Sequence, residues 1–189
     1  NQAGPRAVLK QIDQAGIKRI VVDDTPNLEG VFSKIHSVAQ AFDVQELGET
    51  LITELKSQSQ SLPSNSAVKP KALFIMQHGS GAPMVGGKDT AADAIITMAG
   101  GRNVIEFIQY KPLTPEAMAS LNPDIIVTTE GSLKQMGGIE GMLQTPGIKL
   151  TKAGQDKNIV AMDALLILGF GPRTVEAAQQ LSKEFQKEI

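Results

Sequence analysis

The chain of 189 residues contains no cysteine, no tryptophan, a single tyrosine (Tyr110) and two histidines. Without cysteine there are no disulfides, no cysteine–zinc sites and no thiol nucleophile. With one tyrosine and no tryptophan there is no row of rings on which single-stranded nucleic acid or sugars could stack. An excess of either charge is missing too: 18 Lys and Arg face 20 Asp and Glu, a formal charge of −2. No five basic residues follow one another, so the electrostatic footprint of a nucleic-acid binder is absent. The longest apolar run, Ala164-Leu165-Leu166-Ile167-Leu168-Gly169-Phe170, is far short of the ~20 residues that span a bilayer, and no span is expected. No signal peptide is read in Asn1-Gln2-Ala3-Gly4-Pro5-Arg6, which lacks a charged segment followed by an apolar one.

What is present is ordinary globular material, 41% hydrophobic and 20% charged. A chain of this length buries roughly 70% of its unfolded surface as one domain or two small lobes. The spacing predicts a helix over 6–14, with Val8, Leu9 and Ile12 on one face and Gly16 as its stop. Ile17-Lys18-Arg19-Ile20-Val21-Val22-Asp23 reads as a β-branched strand closed by Asp24-Thr25-Pro26. A helix feeding a parallel strand should itself follow a strand of the same sheet. The chain is therefore expected to lack its N-terminal part.

A second helix follows Thr25-Pro26, with Leu28, Val31, Phe32, Ile35, Val38, Ala39 and Phe42 at helical spacing, and a third covers 44–62 with Leu47, Leu51, Ile52 and Leu55 on one stripe. The polar, proline-flanked stretch 63–71 is the best domain boundary. Beyond it strands and helices alternate. Strands are expected at 72–78, 103–107, 124–129 and 158–162. Helices are expected at 90–99, 115–121, 133–144 (weak, interrupted by glycine) and 172–187. Such alternation predicts an α/β fold around a mostly parallel sheet.

Two motifs fail. Gly86-Gly87-Lys88 resembles the end of a phosphate loop, but Ala82 stands where that loop needs glycine and Asp89 where it needs Ser or Thr. His78-Gly79-Ser80-Gly81 lacks the spacing of a nucleophile elbow, and the other histidine, His36, reads as a surface or core-edge residue of a helix. No paired acid and base or nucleophile emerges. Ligands of open α/β sheets bind beyond the carboxyl ends of the strands. The segments expected there are 78–84, Gln109-Tyr110, Glu130-Gly131-Ser132 and 163–173. His78, Tyr110 and Arg173 are thus candidates for one cleft. Arg173 falls at a helix start, where the macrodipole disfavours a cation unless an anion lies nearby.

Three motifs together carry a family resemblance. They are His78-Gly79 with Pro83-Met84 and the run from Gly86 to Gly100; Tyr110-Lys111-Pro112-Leu113 through Glu116 to Asn122-Pro123-Asp124-Ile125-Ile126-Val127; and Gly169-Phe170-Gly171-Pro172-Arg173-Thr174. They resemble the periplasmic haem-binding proteins of bacterial haem-uptake ABC transporters. The resemblance covers essentially the whole chain. It implies two Rossmann-like α/β lobes joined by a long helix, the helical-backbone type of periplasmic binding protein, with the first lobe incomplete here. Residues 1–42 become the tail of that lobe, 43–62 the backbone helix and 63–189 the second lobe.

The resemblance also implies a function. The protein would capture haem in the periplasm and deliver it to an inner-membrane ABC permease, as a monomer when intact. Cobalamin or a ferric siderophore is the alternative cargo, and an α/β enzyme with an unrecognised site the alternative of another class. His78, Arg173, Tyr110 and Met84 become the haem-binding candidates, His78 as a conditional axial iron ligand. The family's principal tyrosine ligand would precede residue 1. Arg173 would hold a ligating phenolate ionised or pair with a propionate. Tyr110 would stack or hydrogen-bond rather than ligate. Glu116, favoured by the dipole in the first turn after Thr114-Pro115, would by the same resemblance dock the permease.

Overall fold

A computed structural model describes residues 4–63, 69–77, 79 and 81–187. Three helices come first: α1 (Arg6–Gln14), α2 (Leu28–Ala41) and α3 (Gln45–Ser59). Then β1 (Lys71–Met76), β2 (Met84–Gly86), α4 (Ala91–Met98), β3 (Arg102–Asn103) and β4 (Tyr110–Pro112) follow. After them come α5 (Pro115–Leu121), β5 (Ile125–Thr129), α6 (Glu130–Gln135) and α7 (Gly138–Leu143). The chain closes with α8 (Lys152–Gln155), β6 (Ile159–Met162), α9 (Ala164–Leu168) and α10 (Thr174–Gln186). Most helix starts are fixed by a side-chain oxygen on an otherwise orphaned amide: Asn27 accepts from Gly30, Thr90 from Asp93, Thr129 from Ser132 and Asp163 from Leu166.

β1 lies at the centre of the sheet. It pairs in parallel with β5, which pairs in parallel with β6. Its other edge is shared: the first residues meet β3 in parallel, and Ile75 and Met76 meet β2 antiparallel, with β4 antiparallel beyond. The expected mostly parallel sheet is therefore extended by an antiparallel ribbon. Alternate residues feed two cores, as the period of two demands. Ala72 and Phe74 join Ile95, Leu181 and Phe185 on one face, while Leu73, Ile75 and Ile126 join Met118, Met142 and Ile148 on the other. Both faces being covered, β1 is continuously apolar from Ala72 to Met76 and β5 from Ile125 to Val127. Ile52 and Leu55 of α3 enter the first core, as do Val31, Phe32 and Ile35 of α2.

Several expectations are corrected. The segment 17–23 is not a strand: no neighbouring strand is offered to it among the described residues, and Ile17, Ile20, Val21 and Val22 are exposed. The expected strand 103–107 shrinks to the pairing of Arg102 and Asn103, although Val104 and Ile105 remain buried. The helix over 133–144 breaks into α6 and α7, because Gly137 and Gly138 both take left-handed backbone, φ 84° and 76°. The apolar run at 164–168 is the short helix α9.

Candidate functional site

At the carboxyl end of the sheet a cleft of about 560 Å³ opens between the α2 side of the molecule and the strand-end loops. It is lined by Asp24, Thr25, Pro26 and Lys34 from the first part of the chain, and by Asp89, Thr90, Ala91, Gln109, Tyr110, Leu168, Gly169 and Phe170 from the part after β1. The Asp24 side is held by a turn in which Asp23 Oδ1 accepts from the Thr25 amide (2.9 Å) and hydroxyl (2.6 Å). Of the four strand-end segments expected to converge, two line this cleft, at 109–110 and at 168–170. Glu130-Gly131-Ser132 does not. Ser132 is buried and serves as a clasp: its Oγ accepts from the Gln77 amide and donates to the Gln77 carbonyl, both at 3.1 Å. The Gln77 side chain in turn donates to the Gly81 carbonyl at 3.1 Å, which ties Gly81 to the end of β1. His78 itself lies outside the described residues.

Tyr110 sits at the start of β4, its ring edge-on to Phe74 with centroids 6.4 Å apart. Burial pushes its phenol above the usual range, with the Ala92 amide and the Thr90 side chain pulling it back in part. It is a neutral, hydrogen-bonding phenol in the wall of the cleft. The ring lies over Gly86, where a Cβ would stand 2.7 Å from the Ala92 Cβ and 3.2 Å from the Tyr110 ring. Gly87 leaves room for the Phe107 carbonyl, which a Cβ would overlap. The glycine pair that suggests a phosphate loop is thus a packing device for the β2–β4 ribbon.

Met84 opens β2 opposite Met76 and Pro112, half-buried and outside the cleft lining. Arg173 is exposed at the N-cap of α10, three residues past the cleft wall. No hydrogen bond or ion pair engages its guanidinium among the described residues. Glu116 is exposed in the first turn of α5, whose start Thr114 caps. His36 is exposed beside Glu49, Nδ1 to Oε1 3.1 Å. Sequence reasoning missed Lys34, which lies half-buried with its Nζ donating to the carbonyls of Gly169 (3.2 Å) and Phe170 (3.0 Å). The available signal was a cation set into the Val31, Ile35, Val38 stripe. Among the described residues no three His, Asp or Glu gather as a metal site, and no helix is long and apolar enough to cross a membrane.

The cleft opens where the parallel sheet gives way to the antiparallel ribbon, a place where α/β proteins bind ligands. The chain belongs to the periplasmic binding protein family, whose model matches residues 2–166. It is similar to the apo periplasmic heme-binding protein RhuT from Roseiflexus sp. RS-1, with a TM-score of 0.94 and 34% identity over 98% of this chain and 73% of that one. It is also similar to the periplasmic heme-binding protein BhuT in complex with two hemes (TM-score 0.90, 36% identity, 98% and 72% of the chains). The periplasmic heme-binding protein HutB of Vibrio cholerae matches with a TM-score of 0.87 and 30% identity, over 97% and 73%. A curated relative is an uncharacterized ABC transporter substrate-binding lipoprotein, YvrC of Bacillus subtilis (strain 168), 24% identical over 181 residues. The chain spans 56% of that relative's length, and the match takes in 93% of this chain.

Proposed function

We propose that this protein captures haem outside the cytoplasm, in the periplasm, and hands it to the permease of an ABC importer, acting as a binding protein and not as an enzyme. The observation that carries this reading is the likeness, over 98% of the chain and at 34% and 36% identity, to two periplasmic heme-binding proteins, one of them holding two hemes. In this reading residues 1–42 end a first lobe, 43–62 form the backbone helix and 63–189 make the second lobe, and the intact protein works as a monomer. The uncommitted guanidinium of Arg173 pairs with a propionate or with a ligating phenolate. His78 supplies a conditional second axial ligand. Tyr110 and Met84 contribute ring and thioether surface, and Glu116 meets a basic patch on the permease.

Titration with hemin, followed by its Soret band, tests the cargo. A saturable Soret shift is expected; no shift, together with tight binding of cobalamin or a ferric siderophore, removes haem. Arg173→Ala should weaken hemin binding about tenfold, the magnitude of one charge-assisted hydrogen bond. Glu116→Ala should leave hemin affinity unchanged and reduce capture by the permease, because exposed charge pairs chiefly steer and orient encounter.

A further inference from the structure

α2 buries Val31 and Ile35 on the face that packs into the first core, and at that face's edge stands Lys34. A long charged side chain in such a place needs partners for its ammonium. It finds two, the carbonyls of Gly169 and Phe170, across 135 and 136 positions of sequence. The Gly169 carbonyl belongs to the C-cap of α9 and so carries the partial negative charge of a helix end, and the Phe170 carbonyl follows just past it. The residue they flank is unusual. Phe170 is almost wholly buried yet holds left-handed backbone, φ 43°, which aromatic residues seldom adopt. Immediately downstream the Gly171 carbonyl accepts from the Thr174 amide (3.0 Å) and hydroxyl (2.8 Å), which closes a turn into α10. Between these two anchors lie only Gly171, Pro172 and Arg173. Lys34 also lines the cleft of about 560 Å³, as Tyr110 does.

We propose that Lys34 is a positioning residue of the ligand site: by holding the Gly169 and Phe170 carbonyls it straps α2 to the loop that presents Arg173, and so fixes where that guanidinium meets the ligand. This rests on the haem reading of the cleft. The strap acts through Arg173 and needs no contact between Lys34 and the ligand. It also couples the two walls of the cleft, because α2 cannot shift without drawing the loop along.

The test uses Lys34→Met, which keeps length and removes the donors, and Lys34→Arg, which restores donors; thermal melting checks folding, and Lys34→Leu, which also lacks donors, replaces Met should that variant fail to fold. Hydrogen exchange is measured over 169–174, and hemin affinity is measured with Arg173 present and in an Arg173→Ala background. Lys34→Met should speed exchange of the loop amides about tenfold. It should also weaken hemin about fivefold with Arg173 present and by less than about twofold without it, the signature of coupled positions. Lys34→Arg should recover most of both effects. Unchanged exchange, unchanged affinity, or a loss of equal size in the Arg173→Ala background overturns the role of Lys34. A wild-type protein that gives no Soret change overturns the haem reading instead, and the exchange measurement still decides whether the strap exists.

Discussion

Two short stretches of this chain are built from similar material and end in opposite states. Ile17-Lys18-Arg19-Ile20-Val21-Val22 is a basic and β-branched run, and Val21 is 73% exposed in irregular backbone. Lys71-Ala72-Leu73-Phe74-Ile75-Met76 is no richer in strand formers, yet Leu73 and Phe74 are 0% exposed in the central strand. The difference is partnership. β1 has β5 along one edge and β2 with β3 along the other, and helices over both faces. The first stretch is tethered by Arg19, whose guanidinium makes two 2.6 Å bonds to the Asp13 carboxylate, and by the Ile17 amide, which donates to the Ile12 carbonyl at 3.3 Å. Strand propensity is thus a capacity to fit a pleated, covered surface, and it expresses nothing where that surface is not supplied.

The largest expected effect follows directly. Phe74→Ala should lower stability by about 3–5 kcal/mol, through lost burial and the cavity left behind. Val21→Ala should move it by less than about 0.5 kcal/mol, as exposed substitutions do. Urea unfolding of both variants, with unchanged slopes, checks this. A Val21→Ala loss approaching that of Phe74→Ala would mean that 17–22 is packed in solution, and the comparison would break.

The same contrast operates at single atoms. A Cβ on Gly87 would overlap the Phe107 carbonyl oxygen, whereas one on Gly131, in α6, would meet nothing within 4 Å. Gly87→Ala should therefore cost about 1–3 kcal/mol, since the ribbon must part to admit the methyl. Gly131→Ala should be neutral or stabilise by up to about 1 kcal/mol, because alanine suits a helix better than glycine. Thermal melts of the pair measure this; equal melting temperatures would show that the β2–β4 ribbon yields freely.

What the sequence disclosed follows the same rule. Helices with a start or stop signal were legible: 6–14 and 115–121 coincide with α1 and α5, the second capped by Thr114, and Thr90 caps α4 as its spacing to Asp93 suggests. Strands buried on both faces, such as 125–129, announced themselves by β-branched runs with an apolar start, here Ile125 to Val127 followed by two threonines. The β2–β4 ribbon did not, because three-residue strands such as Met84–Gly86 carry too little alternation to register. The break between α6 and α7 was visible only as glycine, whose backbone choice depends on what packs around it. Of the cleft, Tyr110 and the loop at 168–170 were legible as strand-end residues. Asp24 and Lys34 were not, because a contact between residues 34 and 170 leaves no local pattern.

The smallest effect separates burial from surface pairing as causes of a shifted titration. Tyr110 is the only tyrosine and the chain has no tryptophan, so the ultraviolet signal of phenolate formation reports this one residue. Burial raises its pKa in the fold, whereas in the unfolded chain it ionises near the usual value of about 10. Below that value the phenol is neutral in both states and its contribution to stability is complete. Above it the unfolded state releases the proton first, so stability falls as pH rises towards the folded pKa. Tyr110→Phe should flatten that alkaline decline. Asp13 offers the opposite case, because its carboxyl is held low chiefly by a hydrogen bond from exposed Arg19. Its contribution is present above the unfolded value and is lost as pH falls through the folded one. Added salt should move the Asp13 titration back towards the usual carboxylate range, because exposed charges are screened, and leave the Tyr110 titration in place, because burial is not. A phenol that ionises near 10 in the folded protein, or one that follows salt as Asp13 does, would place Tyr110 in solvent and remove it from the wall of the cleft.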